Sequence, residues 1–244
     1  MFDNSVVISK DVVVVNRIPQ EDIDHIIDIM FDERKKEELE FLGSGMYGKV
    51  FKIVGKDGFQ YAVKQVRLER IDGNNDLASS RYKPHDANFL ESLQGCEGFP
   101  TLFFYIEGIF EYGARRYRYM IMVSNCINGY TLGKVRDEVD KRTDFFQNMS
   151  NTFIDKLKDS LSSALKRGIL PNDLHLNNIM FDLDTGNAVI IDTGCFYVQS
   201  NIRDNSNLID PLEFYETKRC IKELESLVSD VNIIYLNKSE KMGA

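Results

Sequence analysis

The spacing of apolar side chains divides the chain into segments with a period of two and segments with a period near 3.6. Alternating or short unbroken apolar runs predict strands at 6–8, 12–15, 41–52, 59–66, 101–106, 109–112, 119–123, 179–181 and 188–191. The polar triplet 9–11 is expected to separate the first two strands, and the polar stretch 67–83 is expected to be a loop. Most of the predicted sheet therefore lies in the first half of the chain.

Apolar residues recur at helical spacing in five further segments. The first follows Pro19 and places five apolar residues on one face, namely Ile23, Ile26, Ile27, Met30 and Phe31. The second follows Pro84 and aligns an acid, Asp86, with the apolar residues Phe89, Leu90 and Leu93. The others begin at residue 132, span 153–165 ahead of a terminating Gly168, and span 221–228.

Composition narrows the class of protein. A chain of 244 residues with 43% hydrophobic and 28% charged residues has the composition of an ordinary globular protein. Its net charge of −8 argues against a nucleic-acid partner. The four cysteines are widely spaced, which indicates reduced thiols and a cytoplasmic protein. No secretory signal and no run long enough to span a bilayer is found, so no membrane span is expected.

A glycine-rich segment leads into the predicted pair of strands, which a second glycine turn at 55–58 connects. Gly43, Gly45, Gly48 and Val50 follow the pattern G-x-G-x-x-G-x-V, and Lys64 lies in an Ala-Val-Lys strand that begins fourteen residues after Gly48. Because glycine has no Cβ, such a segment lets backbone amides approach phosphate closely. A strand and not a helix follows, which argues against a dinucleotide-binding motif.

The second chemical segment combines an acid, an amide and another acid. Asp173 is followed five residues later by Asn178, and Asp192 ends the buried run 188–191, with room for a short hairpin between them. Hard oxygen ligands of this kind suit Mg²⁺ shared with phosphate. Asp and Asn are also common turn residues, so this segment alone leaves a plain loop open. Asp86 likewise either serves its helix N-terminus or points inward to pair with Lys64.

Together, the glycine loop, the Ala-Val-Lys strand, the helix acid, the D-x-x-x-x-N segment and the D-x-G turn resemble the protein-kinase-like fold in order and spacing over residues 38–200. The resemblance implies an α+β, bilobal fold with an antiparallel β N-lobe at 38–124 and a reduced, mainly helical C-lobe at 125–244. Residues 1–37 are then a strand–helix extension.

The same resemblance implies ATP and Mg²⁺ as cofactors and assigns roles to residues. Lys64 holds the α- and β-phosphates and is steadied by Asp86, Asp173 acts on the acceptor hydroxyl, and Asn178 and Asp192 bind Mg²⁺. The ATP contacts fall on Gly43, Ser44, Gly45, Gly48, Val50, Ala62, Lys64, Asn125 and Ile127.

Several positions depart from the family pattern. Pro171-Asn172 replaces the usual His-Arg, which implies activity without priming of an activation loop, and Thr193 replaces the usual Phe. Asp210-Pro211-Leu212-Glu213 is only weakly similar to the Ala-Pro-Glu motif of the family. About fifty residues follow Asp192 in this sequence. This shortness resembles the minimal kinases that bacterial pathogens inject into host cells. The resemblance implies a monomeric kinase that phosphorylates serine or threonine, rather than tyrosine, of a host protein. It also implies delivery to the host cytosol without a cleaved signal peptide, and a host activator is a further expected partner.

Two other classes stay open. Asp173-Leu174-His175 also resembles the D-L-H segment of aminoglycoside and sugar kinases, which implies a small-molecule acceptor. A pseudokinase that only binds a partner protein is the non-catalytic alternative.

Overall fold

The computed structural model describes residues 5–45, 48–71, 86–112, 115–138, 141, 143–150, 152–198 and 217–229. The chain divides into two compact units, one of residues 1–91 with 101–126 and the other of residues 92–100 with 127–244. Four expectations fall outside the described residues: the loop at 72–83, the helix start at Pro84, the Asp210–Glu213 segment, and the side chain of Asp86.

Unit 1 is built on a six-stranded antiparallel sheet in the order β1-β5-β6-β4-β3-β2. Its strands are β1 (Ser5–Val14), β2 (Glu40–Ser44), β3 (Gly48–Val54), β4 (Gln60–Ile71), β5 (Leu102–Tyr112) and β6 (Arg115–Asn125). Unit 1 also holds helix α1 (Gln20–Phe31), the short 3-10 helix Glu33–Glu38, and all but the last residue of helix α2 (Asp86–Ser92).

Several strand boundaries differ from the sequence expectation, and the run 41–52, expected to be one strand, is divided into β2 and β3. Strand β1 runs through the polar triplet 9–11, because a bulge between Val7 and Ser9 keeps its ladder to β5 intact. Strand β5 is continuous where two strands were expected. Strand β4 includes residues 67–71, which were expected to be a loop, because their backbone continues the ladder to β6 and places Glu69 opposite Arg118.

Helix α1 covers one face of the sheet in unit 1. Pro19 occupies its N-cap, and the acids Glu21 and Asp22 stand in its first turn. The helix buries Ile23, Ile26, Ile29 and Met30 in one cluster with residues of β3, β4, β5 and β6. Of the residues predicted for this face, Ile27 and Phe31 are only partly buried, whereas Ile29 was missed.

Unit 2 contains a three-stranded sheet in the order β10-β9-β7 and a two-stranded pair of β11 with β8. Its strands are β7 (Gly129–Thr131), β8 (Ile169–Leu170), β9 (Ile179–Asp182), β10 (Ala188–Ile190) and β11 (Tyr197–Val198), and its helices are α3 (Leu132–Asp137), α4 (Thr143–Asn148), α5 (Phe153–Lys166) and α6 (217–229).

The core of unit 2 centres on three phenylalanine rings. Phe181 of β9 lies 4.6 Å from Phe145 and 5.9 Å from Phe153, measured between ring centroids. Helix α5 adds Leu157, Leu161 and Ala164 to the buried set, as its sequence spacing predicted. The α+β class expected from the sequence is confirmed. None of the helices described is both long and apolar enough to cross a membrane.

Candidate functional site

The glycine hairpin of unit 1 joins β2 to β3. Gly43 lies opposite Val50 and Ser44 opposite Lys49, and the Gly45 N–H donates to the Gly48 carbonyl at 2.9 Å. Met46 and Tyr47, at the tip, lie outside the described residues. The sequence-predicted glycines and Val50 are therefore brought together in one hairpin.

The three glycines of this hairpin differ in what the fold requires of them. A Cβ on Gly48 would lie 2.1 Å from the Gln65 carbonyl, so the approach of β3 to β4 requires glycine at that position. A Cβ on Gly43 or Gly45 would meet none of the described atoms within 4 Å, and neither residue has a left-handed backbone. Packing against described atoms therefore accounts for the glycine at position 48 but not for those at positions 43 and 45. A Cβ-free backbone facing open space at Gly43 and Gly45 is what close approach of a phosphate needs.

Lys64 projects from the face of the sheet opposite α1. Its register partners are Val50 of β3 and Met122 of β6, and cross-strand partners share a face. Its chain neighbour Val63 points the other way, into the cluster with α1. Ala62 lies two residues before Lys64 and so shares its face, and all three predicted contacts (Val50, Ala62 and Lys64) are half-buried.

Asn125, at the end of β6, makes two hydrogen bonds to the backbone of Thr101. Its Oδ1 accepts the Thr101 N–H at 2.7 Å, and its own N–H donates to the Thr101 carbonyl at 3.1 Å. Cys126 continues the ladder by donating to the Gln60 carbonyl at 3.0 Å, and burial raises the pKa of its thiol. Ile127, half-buried, belongs to unit 2. The backbone N–H and the side-chain oxygen of Asn125 are thus both engaged within unit 1.

Asp173 of unit 2 has an unusual backbone. Its φ is 55°, and it is the one residue other than glycine with a positive φ in the part of the chain that the structure describes. An L-residue in this region costs on the order of 1–2 kcal/mol. The neighbouring Leu174 and Leu176 are buried and fix the segment, while Asp173 itself is exposed. Strain of this kind is found at functional sites, so the backbone singles out Asp173 as a candidate.

Asn178 links Asp173 to Asp192. Its Nδ2 donates to the Asp173 carbonyl at 3.0 Å, and its own carbonyl accepts the Ile191 N–H at 2.9 Å. The hairpin of β9 and β10 begins and ends here, with Ile179 opposite Ile190. Asp192 follows directly, half-buried, with its Oδ1 accepting the Gly194 N–H at 3.2 Å. The three residues predicted from the sequence for this part of the site are therefore held together.

The donor atoms at this hairpin fit Mg²⁺. The hydrogen bond to Asp173 uses the amide nitrogen of Asn178, so the side-chain oxygen of Asn178 and the Asp192 carboxylate are the candidate oxygen ligands of this segment. Mg²⁺ is commonly held by one or two carboxylates together with water and phosphate oxygens. Within the described ranges, no group of three or more His, Cys, Asp or Glu residues is placed to hold a metal ion.

One residue beside this hairpin was not singled out by the sequence analysis. Phe196 follows Thr193 by three positions and is buried, as is Thr193. The only sequence signal was the pair of aromatic residues Phe196-Tyr197 just after the Asp-Thr-Gly turn.

The chain is similar in part to a protein kinase. No family model matches it. Over 158 residues, which are 65% of its length, it is 28% identical to NUAK family SNF1-like kinase 2 of Rattus norvegicus. The aligned part spans 22% of that relative. This distant similarity supports a kinase-like relationship for the chain.

Proposed function

We propose that the chain is an ATP- and Mg²⁺-dependent phosphotransferase whose acceptor is a serine or threonine hydroxyl of a protein. The observation that carries the proposal is the pair of hydrogen bonds made by Asn178, which joins the strained Asp173 segment to the chain just before Asp192. A general base, an amide ligand and a carboxylate ligand are the groups that phosphoryl transfer requires in one place. The partial similarity to a kinase agrees with this chemistry.

The roles follow from the chemistry of each group. The backbone at Gly43 and Gly45 covers the phosphates, and the Lys64 ammonium binds the α- and β-phosphates. Asn178 and Asp192 hold the Mg²⁺, which when bound neutralises charge on the β- and γ-phosphate oxygens. The acceptor oxygen bonds to the γ-phosphorus, and the bond to the β–γ bridging oxygen breaks to release ADP. The hydroxyl proton passes to a carboxylate oxygen of Asp173.

The proposal, which includes a host protein as acceptor, is tested by adding γ-labelled ATP and Mg²⁺ to a eukaryotic lysate. The transfer of labelled phosphate to protein is then measured. The wild type is compared with Asp173→Asn, Asp192→Asn and Lys64→Ala. Asp184→Asn is the matched control, because Asp184 is an exposed acid in the turn of the same hairpin. We expect label on serine or threonine of discrete protein bands, lost by about 10²-fold or more in the three variants and kept in the control. Full transfer by a folded Asp173→Asn or Asp192→Asn variant would refute the site.

A small-molecule acceptor is the second candidate. It is favoured by the position of His175, whose Nε2 lies 3.9 Å from Asp173 Oδ1 and could help to orient a sugar hydroxyl. The same assay separates the two, since label would then appear in the acid-soluble fraction and not in protein bands. Absence of any transfer, together with nucleotide binding that is indifferent to Mg²⁺ and to Asp192→Asn, would favour the non-catalytic binding module.

A further inference from the structure

The segment after Asp192 is anchored in an unexpected way. Thr193, at the position where an apolar ring was expected from the family pattern, is a small polar residue that is 1% exposed. The chain then turns, with the Phe196 N–H donating to the Thr193 carbonyl at 3.0 Å, and the Phe196 ring is 3% exposed. An aromatic ring is therefore buried four residues after Asp192, which is three positions later in the chain than the family pattern implies.

Phe196 packs against Phe99. Their ring centroids are 6.4 Å apart and the rings are nearly perpendicular, which is a favourable edge-to-face arrangement. Phe99 is also buried and lies in the segment 92–100 of unit 2. The ring contact therefore ties the residues just after Asp192 to a second segment of the same unit.

The residue before Phe99 ties that segment to the residues just before Asp192. The Ile190 N–H donates to the Gly98 carbonyl at 2.8 Å. The segment 98–99 thus contacts the chain on both sides of Asp192, through a hydrogen bond at Ile190 and a ring contact at Phe196. Asp192 lies between two fixed points, six residues apart in sequence.

The segment 98–99 is itself held firmly. Gly98 has a φ of +80°, and a Cβ at this position would lie 2.1 Å from the Ser160 Oγ of α5. Ser160 is buried and donates to the Lys156 carbonyl within its helix at 2.8 Å. The support for Phe196 is therefore backbone packed directly on a helix, which has little freedom to shift.

We propose that Phe196 is a positioning residue for Asp192, taking the place of the ring that Thr193 lacks. This inference rests on the proposed function, since it gives Phe196 the task of aiming the Asp192 carboxylate at Mg²⁺. Removal of the ring loosens the turn 193–196 and the Gly194 N–H contact to Asp192, and so weakens metal binding more than it weakens nucleotide binding. Supporting groups around metal ligands typically contribute 10- to 100-fold in metal affinity.

The test compares Phe196→Ala and Phe196→Leu with Tyr197→Ala, a matched control because Tyr197 is the adjacent aromatic residue and is 53% exposed. Two quantities are measured on the full chain: the Mg²⁺ concentration giving half of the ATP-dependent thermal shift, and amide hydrogen exchange of the peptide covering 192–198. We expect Phe196→Ala to raise the Mg²⁺ midpoint about tenfold and to speed exchange at Gly194, with Phe196→Leu restoring most of both. Tyr197→Ala should match the wild type.

The outcomes distinguish this inference from the proposed function. An unchanged Mg²⁺ midpoint and unchanged exchange in a folded Phe196→Ala variant would overturn the role of Phe196 while leaving the kinase proposal intact. An equal change in Tyr197→Ala would also overturn it, since the effect would then not depend on the buried ring. A wild type without any Mg²⁺-dependent shift would instead overturn the proposed function and the inference with it.

Discussion

Asp22 is a buried carboxylate that fastens α1 to the sheet. It is 1% exposed, its Oδ2 accepts the Tyr61 hydroxyl at 2.8 Å, and its Oδ1 accepts the Lys56 N–H at 2.9 Å. Gly55 leaves space for it, because a Cβ at that position would lie 3.0 Å from the carboxylate. The two hydrogen bonds join the first turn of α1 to the β3–β4 turn and to β4, so removing either partner is expected to destabilise unit 1.

The magnitude follows from the charge and burial of the group. A hydrogen bond to a charged group contributes about 1.5–3 kcal/mol, and truncation leaves a buried oxygen with one fewer donor. We therefore expect Tyr61→Phe to lower the free energy of unfolding by about 2 kcal/mol and Asp22→Ala by more, since two donors then lose their acceptor. In the double variant the two losses should overlap, giving a coupling energy on the order of 1–2 kcal/mol.

The pH dependence gives an independent check on the same contact. Burial first, and the hydrogen bond to Asp22 second, raise the pKa of Tyr61 above its ordinary value of 10.0. The folded state therefore binds this proton more tightly than the unfolded chain does. This contribution to stability is complete below pH 10 and is lost as the pH rises above it. Phenylalanine has no such proton, so the gap between wild type and Tyr61→Phe should narrow above pH 10. The raised pKa of Tyr119, about 12, is common to both proteins and cancels.

Urea unfolding followed by far-ultraviolet circular dichroism is the appropriate assay, because the chain has no tryptophan. The wild type, the two single variants and the double variant are compared at pH 8 and pH 10.5. A change below about 0.5 kcal/mol for Tyr61→Phe, or strictly additive single effects, would refute the reasoning that this contact fastens α1. A gap that stays constant between the two pH values would refute the assignment of the raised pKa to Tyr61.

Three further predictions concern unit 2. Gly98→Ala should lower the free energy of unfolding by about 2 kcal/mol or more, because Gly98 has a positive φ and an added Cβ would collide with Ser160. Gly58→Ala is the control in the same urea assay and should cost less, because Gly58 has a positive φ but open space around it. Cys220 should resist iodoacetamide at pH 8 until urea unfolds the chain, because burial raises the pKa of its thiol to about 12. Rapid labelling of Cys220 in the folded protein, detected by mass spectrometry, would contradict this. Thr131→Ala should cost about 1 kcal/mol, because the Thr131 side chain accepts the Lys134 N–H at the start of α3, and Thr131→Ser should restore it.

Much of the sheet and of the candidate site followed from local pattern. The hairpin that brings Asn178 to Asp192 is encoded by two short apolar runs and the turn between them, so its pairing needed no knowledge of the rest of the fold. Strand β4 beyond Val66 was missed because its residues are polar, and what makes them a strand is the distant partner β6. The composition of a short segment does not predict strand pairing with a partner about fifty residues away in the sequence.

Contacts between distant segments explain the other misses. The bond of Asn125 Oδ1 to Thr101 and the packing of Phe196 on Phe99 each join segments whose approach depends on the complete fold. The strain at Asp173 could not be predicted for a similar reason, since the segment is fixed by the burial of the neighbouring Leu174 and Leu176. The sequence therefore indicated the candidate groups, and the fold was needed to identify what holds them.

The supports of the proposed chemistry are independent of each other within the two units. Lys64 is carried by β4, whose opposite face packs on α1, so its placement depends on Tyr61, Val63 and the buried Asp22. Asp192 is carried by a turn fixed by Ile190 and Phe196, which belong to unit 2. A variant that weakens the first support should lower stability without changing the Mg²⁺ requirement, whereas Phe196→Ala, which removes a buried ring, should lower stability and also raise the Mg²⁺ requirement. Tyr61→Phe and Phe196→Ala thus form a pair in which only Phe196→Ala should change the Mg²⁺ requirement, which would locate the support of the metal ligands in unit 2.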